Sequence, residues 1–188
     1  SEIHQALIES VGSNITLKYP KNGEYRSAYV IANIDDEPTD EAMVFYEYTS
    51  NGSEEDGLRV NILDKDEDGK WYSVKELAGA GTDIDQVIIS PMGSNNQTDV
   101  FVGYQNLTND EKTMEIYSYT DGDFKRVALD TYSVLEPLDI NNDGYIELIT
   151  IQRSTNNDTG AVTAKASMLN MKNNEITRGE NVDMCDRS

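Results

Sequence analysis

The sequence predicts an all-β protein: about three tandem four-stranded antiparallel units behind one short helix. Three observations carry that expectation. From Ile15 onward, short apolar, β-branched and tyrosine-rich runs alternate with clusters of Gly, Asn and Asp, the pattern of strands separated by turns. An acidic loop followed at once by an apolar strand occurs three times, and each copy continues into a hairpin with a tight tip. The loop starts, Asn33, Pro91 and Asp139, recur at roughly 50 residues, the length of one four-stranded blade of a β-propeller.

Taken in order, residues 2–10 place Ile3, Leu7 and Ile8 on one side and run to Gly12, which predicts a short amphipathic helix. Leu17-Lys18-Tyr19 precedes a turn at Pro20 to Gly23, and an apolar run from Tyr25 to Ile34 leads to the first loop. That loop, Asn33-Ile34-Asp35-Asp36-Glu37-Pro38-Thr39-Asp40-Glu41, enters a strand at Ala42 to Phe45. A hairpin follows, from Leu58 to Ile62 through a tip near Asp68-Gly69 to Trp71. The second loop, Pro91 to Asp99, enters Val100 to Val102, and its hairpin runs from Met114 to Tyr119, turns at Asp121-Gly122 and returns at Phe124. The third, Asp139 to Glu147, enters Leu148 to Ile151, then Ala164 to Leu169, a tip near Asn173-Asn174, and Ile176. Asp-Gly and Asn-rich tips suit two-residue hairpin turns because these residues tolerate positive φ. The expected organisation is a helix and lead-in strand over 1–25, then three blades at about 26–80, 81–129 and 130–182, with a C-terminal tail. Closed propellers have about four to eight blades, so three imply a partial or open β-propeller-like array, with further blades in a longer parent chain.

The third loop carries the chemistry. Asp139, Asn141, Asp143 and Glu147 put side-chain oxygens at loop positions 1, 3, 5 and 9, Tyr145 offers a backbone carbonyl at position 7, and Gly144 permits the sharp turn at position 6. Oxygen donors at alternate positions around one glycine are the ligand pattern of a calcium loop. The β-branched run after it makes this a strand-flanked loop, not an EF-hand. One Ca²⁺ is therefore the expected cofactor; the competing reading is an Asx-rich loop held by its own backbone bonds. The first loop keeps Asn33, Asp35, Glu37 and Glu41 but has Pro38 where glycine should turn, and proline cannot take positive φ; whether it binds metal stays open. In the second loop Pro91 and Gly93 replace two ligands, leaving Asn95 and Asp99, too few for a hard cation. Asp64, Asp66 and Asp68 imitate a calcium loop within the first hairpin, where a charged turn is the simpler reading.

Composition narrows the function. Asp and Glu number 35 against 15 Lys and Arg, a net charge of −20, which repels nucleic acid and anionic membranes. No run of apolar residues is long enough to span a bilayer. Cys185 is the only cysteine, so no disulfide forms within the chain. His4 is the only histidine and lies in the expected helix, which argues against a Ser-His-Asp triad. No phosphate-binding or dinucleotide fingerprint occurs. No catalytic or cofactor-binding residue is assigned, and a non-enzymatic role is expected.

The segment Asp139 to Leu148 resembles the D-x-D-x-D-G-x-x-[DE]-L loop of FG-GAP/VCBS-type propeller repeats, a class also seen in the integrin α-subunit head, with Asn141 in place of the central Asp. Further phrases are similar to Gram-positive bacterial surface lipoproteins that carry such repeats: Leu17-Lys18-Tyr19-Pro20 with Gly23 to Ala28, Asp40 to Tyr46, Leu77 to Val87, and Ile116 to Tyr119. The resemblance covers nearly the whole chain. It implies an exported, cell-surface protein, lipid-anchored through a removed N-terminal segment. Its propeller module would be stabilised by calcium and present a binding face to a protein or glycan. A hydrolase or hydrolase-associated domain acting on cell-wall polysaccharide is one alternative, and a purely structural spacer is another.

Overall fold

The computed structural model describes residues 1–49, 57–91, 97–106, 110–172, 175–179 and 182–185. The N-terminal helix α1 spans Glu2–Val11. It starts where the Ser1 hydroxyl accepts the His4 N–H at 3.3 Å and stops at Gly12, whose N–H donates to the Ile8 carbonyl. A capping hydroxyl satisfies one of the orphan N–H groups, and Glu2 in the first turn suits the positive end of the helix dipole. Ile3, Ala6 and Leu7 are its buried residues. Ile8, expected on that face, is only half-buried, because the i, i+3, i+4 stripe runs through Ala6 instead.

Everything after the helix is antiparallel sheet. The first sheet contains β1 (Ile15–Leu17), β2 (Tyr29–Ala32), β3 (Glu41–Tyr48), β4 (Leu58–Lys65) and β5 (Trp71–Ala78). β1 and β2 share one edge of β3: Leu17 lies opposite Tyr46 and Tyr29 opposite Val44. The sheet therefore has four lanes, and residues 18–28 leave the first lane and rejoin it almost where they left. The apolar run expected from Tyr25 onward becomes strand only at Tyr29. The second sheet, β6 (Asp83–Pro91), β7 (Thr98–Gln105), β8 (Lys112–Thr120) and β9 (Asp123–Tyr132), is a plain meander in chain order. The third has β10 (Val134–Leu138), β11 (Glu147–Thr155), β12 (Val162–Lys172), β13 (Glu175–Arg178) and β14 (Val182–Cys185). Here β13 and β14 divide the last lane beside β12.

Period-two alternation assigns each face of a strand to a different neighbour. In β3, Ala42, Val44 and Tyr46 pack with Ile3, Ala6 and Leu7 of α1, together with Leu63 and Trp71. Met43 and Phe45 point the other way, into a core with Val60, Ile62, Ile84, Val100, Val102, Tyr104 and Tyr117. In β7, Phe101 turns to the third sheet and joins Met114, Ile116 and Tyr132 against Leu135, Leu148 and Leu169. The layers thus run helix, first sheet, second sheet, third sheet. Both faces of β3 and β7 are covered, which is why six consecutive residues are buried in each while the outer-lane strand β5 alternates. This is an all-β, open, propeller-like array with one short helix. Among the described residues, strands from the two ends of the chain do not share a sheet.

Candidate metal centre

The third loop joins β10 to β11, and its side chains turn inward onto its own backbone. Both Asp139 carboxylate oxygens accept N–H groups, Oδ1 from Asp143 at 3.1 Å and Oδ2 from Gly144 at 3.0 Å. Asn141 Oδ1 accepts Asp143 N–H at 3.1 Å, Asp143 Oδ1 accepts Tyr145 N–H at 2.9 Å, and Glu147 Oε2 accepts Ile140 N–H at 2.9 Å. Asn142 at φ 56° and Gly144 at φ 87° make the two left-handed turns this path requires. Ile146 N–H donates to the Pro91 carbonyl at 3.2 Å, so the loop is tied to the edge of the second sheet.

This donor set fits a hard cation in chemistry: three carboxylates and an amide oxygen, each oxygen keeping acceptor capacity after one N–H bond. Asp139, Asn141, Asp143 and Glu147 would hold the ion with the Tyr145 carbonyl, and the ion would supply charge neutralisation. As the side chains stand, no group of three acidic, histidine or cysteine side chains among the described residues is placed to hold a metal ion.

The first loop, between β2 and β3, repeats two of these bonds. Glu41 Oε2 accepts Ile34 N–H at 2.8 Å, as Glu147 does for Ile140, and Asp35 Oδ1 accepts Glu37 N–H at 2.7 Å, as Asn141 does for Asp143. It differs at the turn. No positive-φ residue occurs there, in keeping with Pro38, and Asn33 Nδ2 instead donates to the Glu37 carbonyl at 2.7 Å. Glu41 is 2% exposed, and its Oε1 has no hydrogen-bond partner. Burial pushes the Glu41 carboxyl up to about 7; the Ile34 and Asp35 backbone N–H groups pull it down, and the Asp35 and Asp64 carboxylates raise it further. Asp35 is raised by burial as well.

Of the second loop only its ends are described; Gly93 and Asn95 lie outside the described residues. Asp99 at its end is buried and accepts the Ser118 hydroxyl. In the 64–69 hairpin, Asp66 Oδ1 accepts N–H from both Asp68 and Lys70 at 2.9 Å, so this is a charged turn closed by its own aspartate. The Asn173-Asn174 tip also lies outside the described residues. His4 Nδ1 sits 2.5 Å from the Tyr29 hydroxyl, with no carboxylate in that pair.

Two groupings had no signal in the sequence. Asp64 and Tyr72, from β4 and β5, and Tyr119, from β8, close around the first loop. Asp85, 2% exposed, accepts Tyr132 Oη at 2.6 Å and Asn22 Nδ2 at 2.8 Å, with Lys112 Nζ at 3.6 Å. Both join residues far apart in the chain: the first through the stacking of two sheets, the second across the lanes of the second sheet and through the 18–28 excursion. Comparison with known protein families and with curated proteins finds no match. The resemblance to FG-GAP/VCBS repeats therefore rests on the residues quoted above. No helix among the described residues is long and apolar enough to cross a membrane.

Proposed function

We propose that the chain is a non-enzymatic, calcium-stabilised propeller segment of an exported bacterial surface protein, whose sheets hold a binding face for a protein or glycan. The observation that carries the reading is the third loop. Four side chains at alternating positions already point inward, and the loop is pinned to the neighbouring sheet through Ile146 and Pro91. An ion there would relieve repulsion among three carboxylates and fix the junction between the second and third sheets. Its role would be structural, and the surface location is what the resemblance implies.

The test is calcium addition to chelator-stripped protein, followed by thermal unfolding. Calcium is expected to raise Tm, by about 2–4 °C for each kcal/mol of linked binding in a chain of this size. Glu147→Ala should lower Tm and abolish the calcium response. No shift in the stripped wild-type protein overturns the calcium reading.

The hydrolase alternative takes its support from Glu41, a buried carboxyl held up to about 7 beside other acids, which is one half of what a glycosidase site needs. Turnover of cell-wall polysaccharide that Glu41→Gln removes would establish it in place of the binding role.

A further inference from the structure

A cavity of about 230 Å³ lies where the first loop meets the hairpin between β8 and β9. Besides Asp123, which is paired with Lys75, four carboxylates line it: Asp35, Glu37 and Glu41 from the loop and the start of β3, and Asp64 from the end of β4. None of the four has an ion-pair partner among the described residues. The lining cation, Lys75, is already paired within the pocket wall: its ammonium holds Asp123 Oδ1 at 3.0 Å, Asp123 Oδ2 at 3.1 Å and the Phe124 carbonyl at 2.9 Å. Glu41 supplies the independent sign of a missing occupant. It lines the cavity, is 2% exposed, and its Oε1 is buried with no partner, a state that costs free energy unless something fills it.

The remaining walls indicate the occupant's shape. Ile62 and Val74 give an aliphatic side, and Tyr72 and Tyr119 an aromatic one. Tyr72 and Val74 are about half exposed, at 45% and 54%, so the site opens to solvent. The space is far larger than a bare ion, and no three acidic side chains among the described residues are placed to hold a metal. A charged head that spreads its hydrogen bonds over several carboxylates, on a stem that covers apolar and aromatic surface, answers all of these features.

We propose that this pocket binds an organic cation, a primary ammonium or guanidinium on an alkyl stem, with the head at Glu41 and Asp64 and the stem between Val74 and the two tyrosines. Lys75 is the internal precedent, since the same corner of the fold already seats one alkylammonium between a carboxylate and a carbonyl. Such a group comes from a lysine or arginine side chain of a peptide or from a free polyamine. The site is separate from the third loop and stands whether or not that loop takes calcium.

Titration calorimetry of the full chain tests it, using cadaverine, Nα-acetyl-lysine amide and the Nε-acetylated form of the latter. Saturable binding of an amine is expected, weakened about tenfold or more by Nε-acetylation and by Glu41→Gln or Asp64→Asn. Asp121→Asn, in the hairpin tip and not lining the pocket, should leave binding unchanged. Tighter binding of the lysine amide identifies a peptide side chain as the source, and tighter binding of cadaverine a polyamine; both support the site. If Glu41→Gln fails to fold, Asp64→Asn carries the test, because an asparagine oxygen can still accept the Lys65 N–H that Asp64 holds at 2.6 Å. Binding that survives Asp64→Asn and Nε-acetylation unchanged overturns the proposal. So does a pocket that takes Ca²⁺ but neither amine.

Discussion

Gly103→Ala is expected to destabilise the protein by about 3 kcal/mol or more, the upper range for forcing an extra carbon into a packed interior. Gly103 lies in β7, whose two faces are covered by the first and third sheets. A Cβ there would overlap the Tyr132 hydroxyl and stand 3.1 Å from its Cζ and 3.3 Å from Phe101 Cε1. Tyr132 has no room to withdraw. It is fully buried, and its hydroxyl donates to Asp85 at 2.6 Å. Asp85 also accepts from Asn22, in the 18–28 excursion of the first sheet, and pairs with Lys112 of β8. Displacing the ring would leave a buried carboxylate short of a donor, an expensive state. The methyl group itself is not the difficulty, since Gly103 is not among the positive-φ residues; the cost is space. Urea unfolding should show a lower midpoint with an unchanged slope. Adding Tyr132→Phe should recover part of the steric loss while leaving Asp85 under-bonded, so the two substitutions should couple. A loss of less than about 0.5 kcal/mol for Gly103→Ala, the range of an ordinary surface change, would refute this account.

The same cluster shows what the sequence could and could not reveal. The acidic loops were legible because their information is local. Alternating oxygen-bearing residues before an apolar run mark a loop entering a strand, and the first and third loops sit between the first two lanes of their sheets. Pro38 was legible too, since a ring that forbids positive φ forced the first loop onto another path. The hairpin tip at Asp121-Gly122 reads directly, and both residues do take positive φ, at 54° and 75°. Non-local pairing left no such mark. Nothing in Ile15 to Leu17 shows that it shares an edge of β3 with β2 across the 18–28 excursion, and Val182 to Cys185 carries no pattern that distinguishes β14 from a tail. Asp85 reads as one more acid in a chain with 35 of them. Its burial follows from the 18–28 excursion reaching the second sheet, where Lys21 and Asn22 N–H groups donate to the Ile84 and Asp85 carbonyls at 3.1 and 2.8 Å.

Without an added cation, stability is expected to fall as pH rises from about 5 to 8, by about 2–3 kcal/mol from Glu41. Burial raises its carboxyl from the ordinary 4.5 to about 7 in the folded chain. Between those values the folded protein keeps a proton that the unfolded chain has released, so stability falls with increasing pH. The contribution is fully present below the unfolded value and lost as pH passes through the folded one. Asp35, also raised by burial, acts in the same direction. Asp83 acts in the opposite one: burial would raise it, but Lys18 and Lys21, at 3.1 and 3.6 Å, hold it below its usual range. Its contribution disappears only in acid below the window considered. The other ionisable groups facing Glu41 in the pocket are Glu37, Asp64, Tyr72, Lys75, Tyr119 and Asp123. Glu41→Gln isolates the effect, because a glutamine oxygen can still accept the Ile34 N–H while the ionisation is gone. Urea unfolding at about pH 5 and pH 8 should therefore give a clear loss for the wild-type chain and a much smaller one for the variant. Equal pH dependence in the two would show that Glu41 is not the group that senses pH. An amine seated in the pocket should cancel the wild-type slope as well, since a positive head against Oε1 favours the carboxylate and returns to the folded state what ionisation removes.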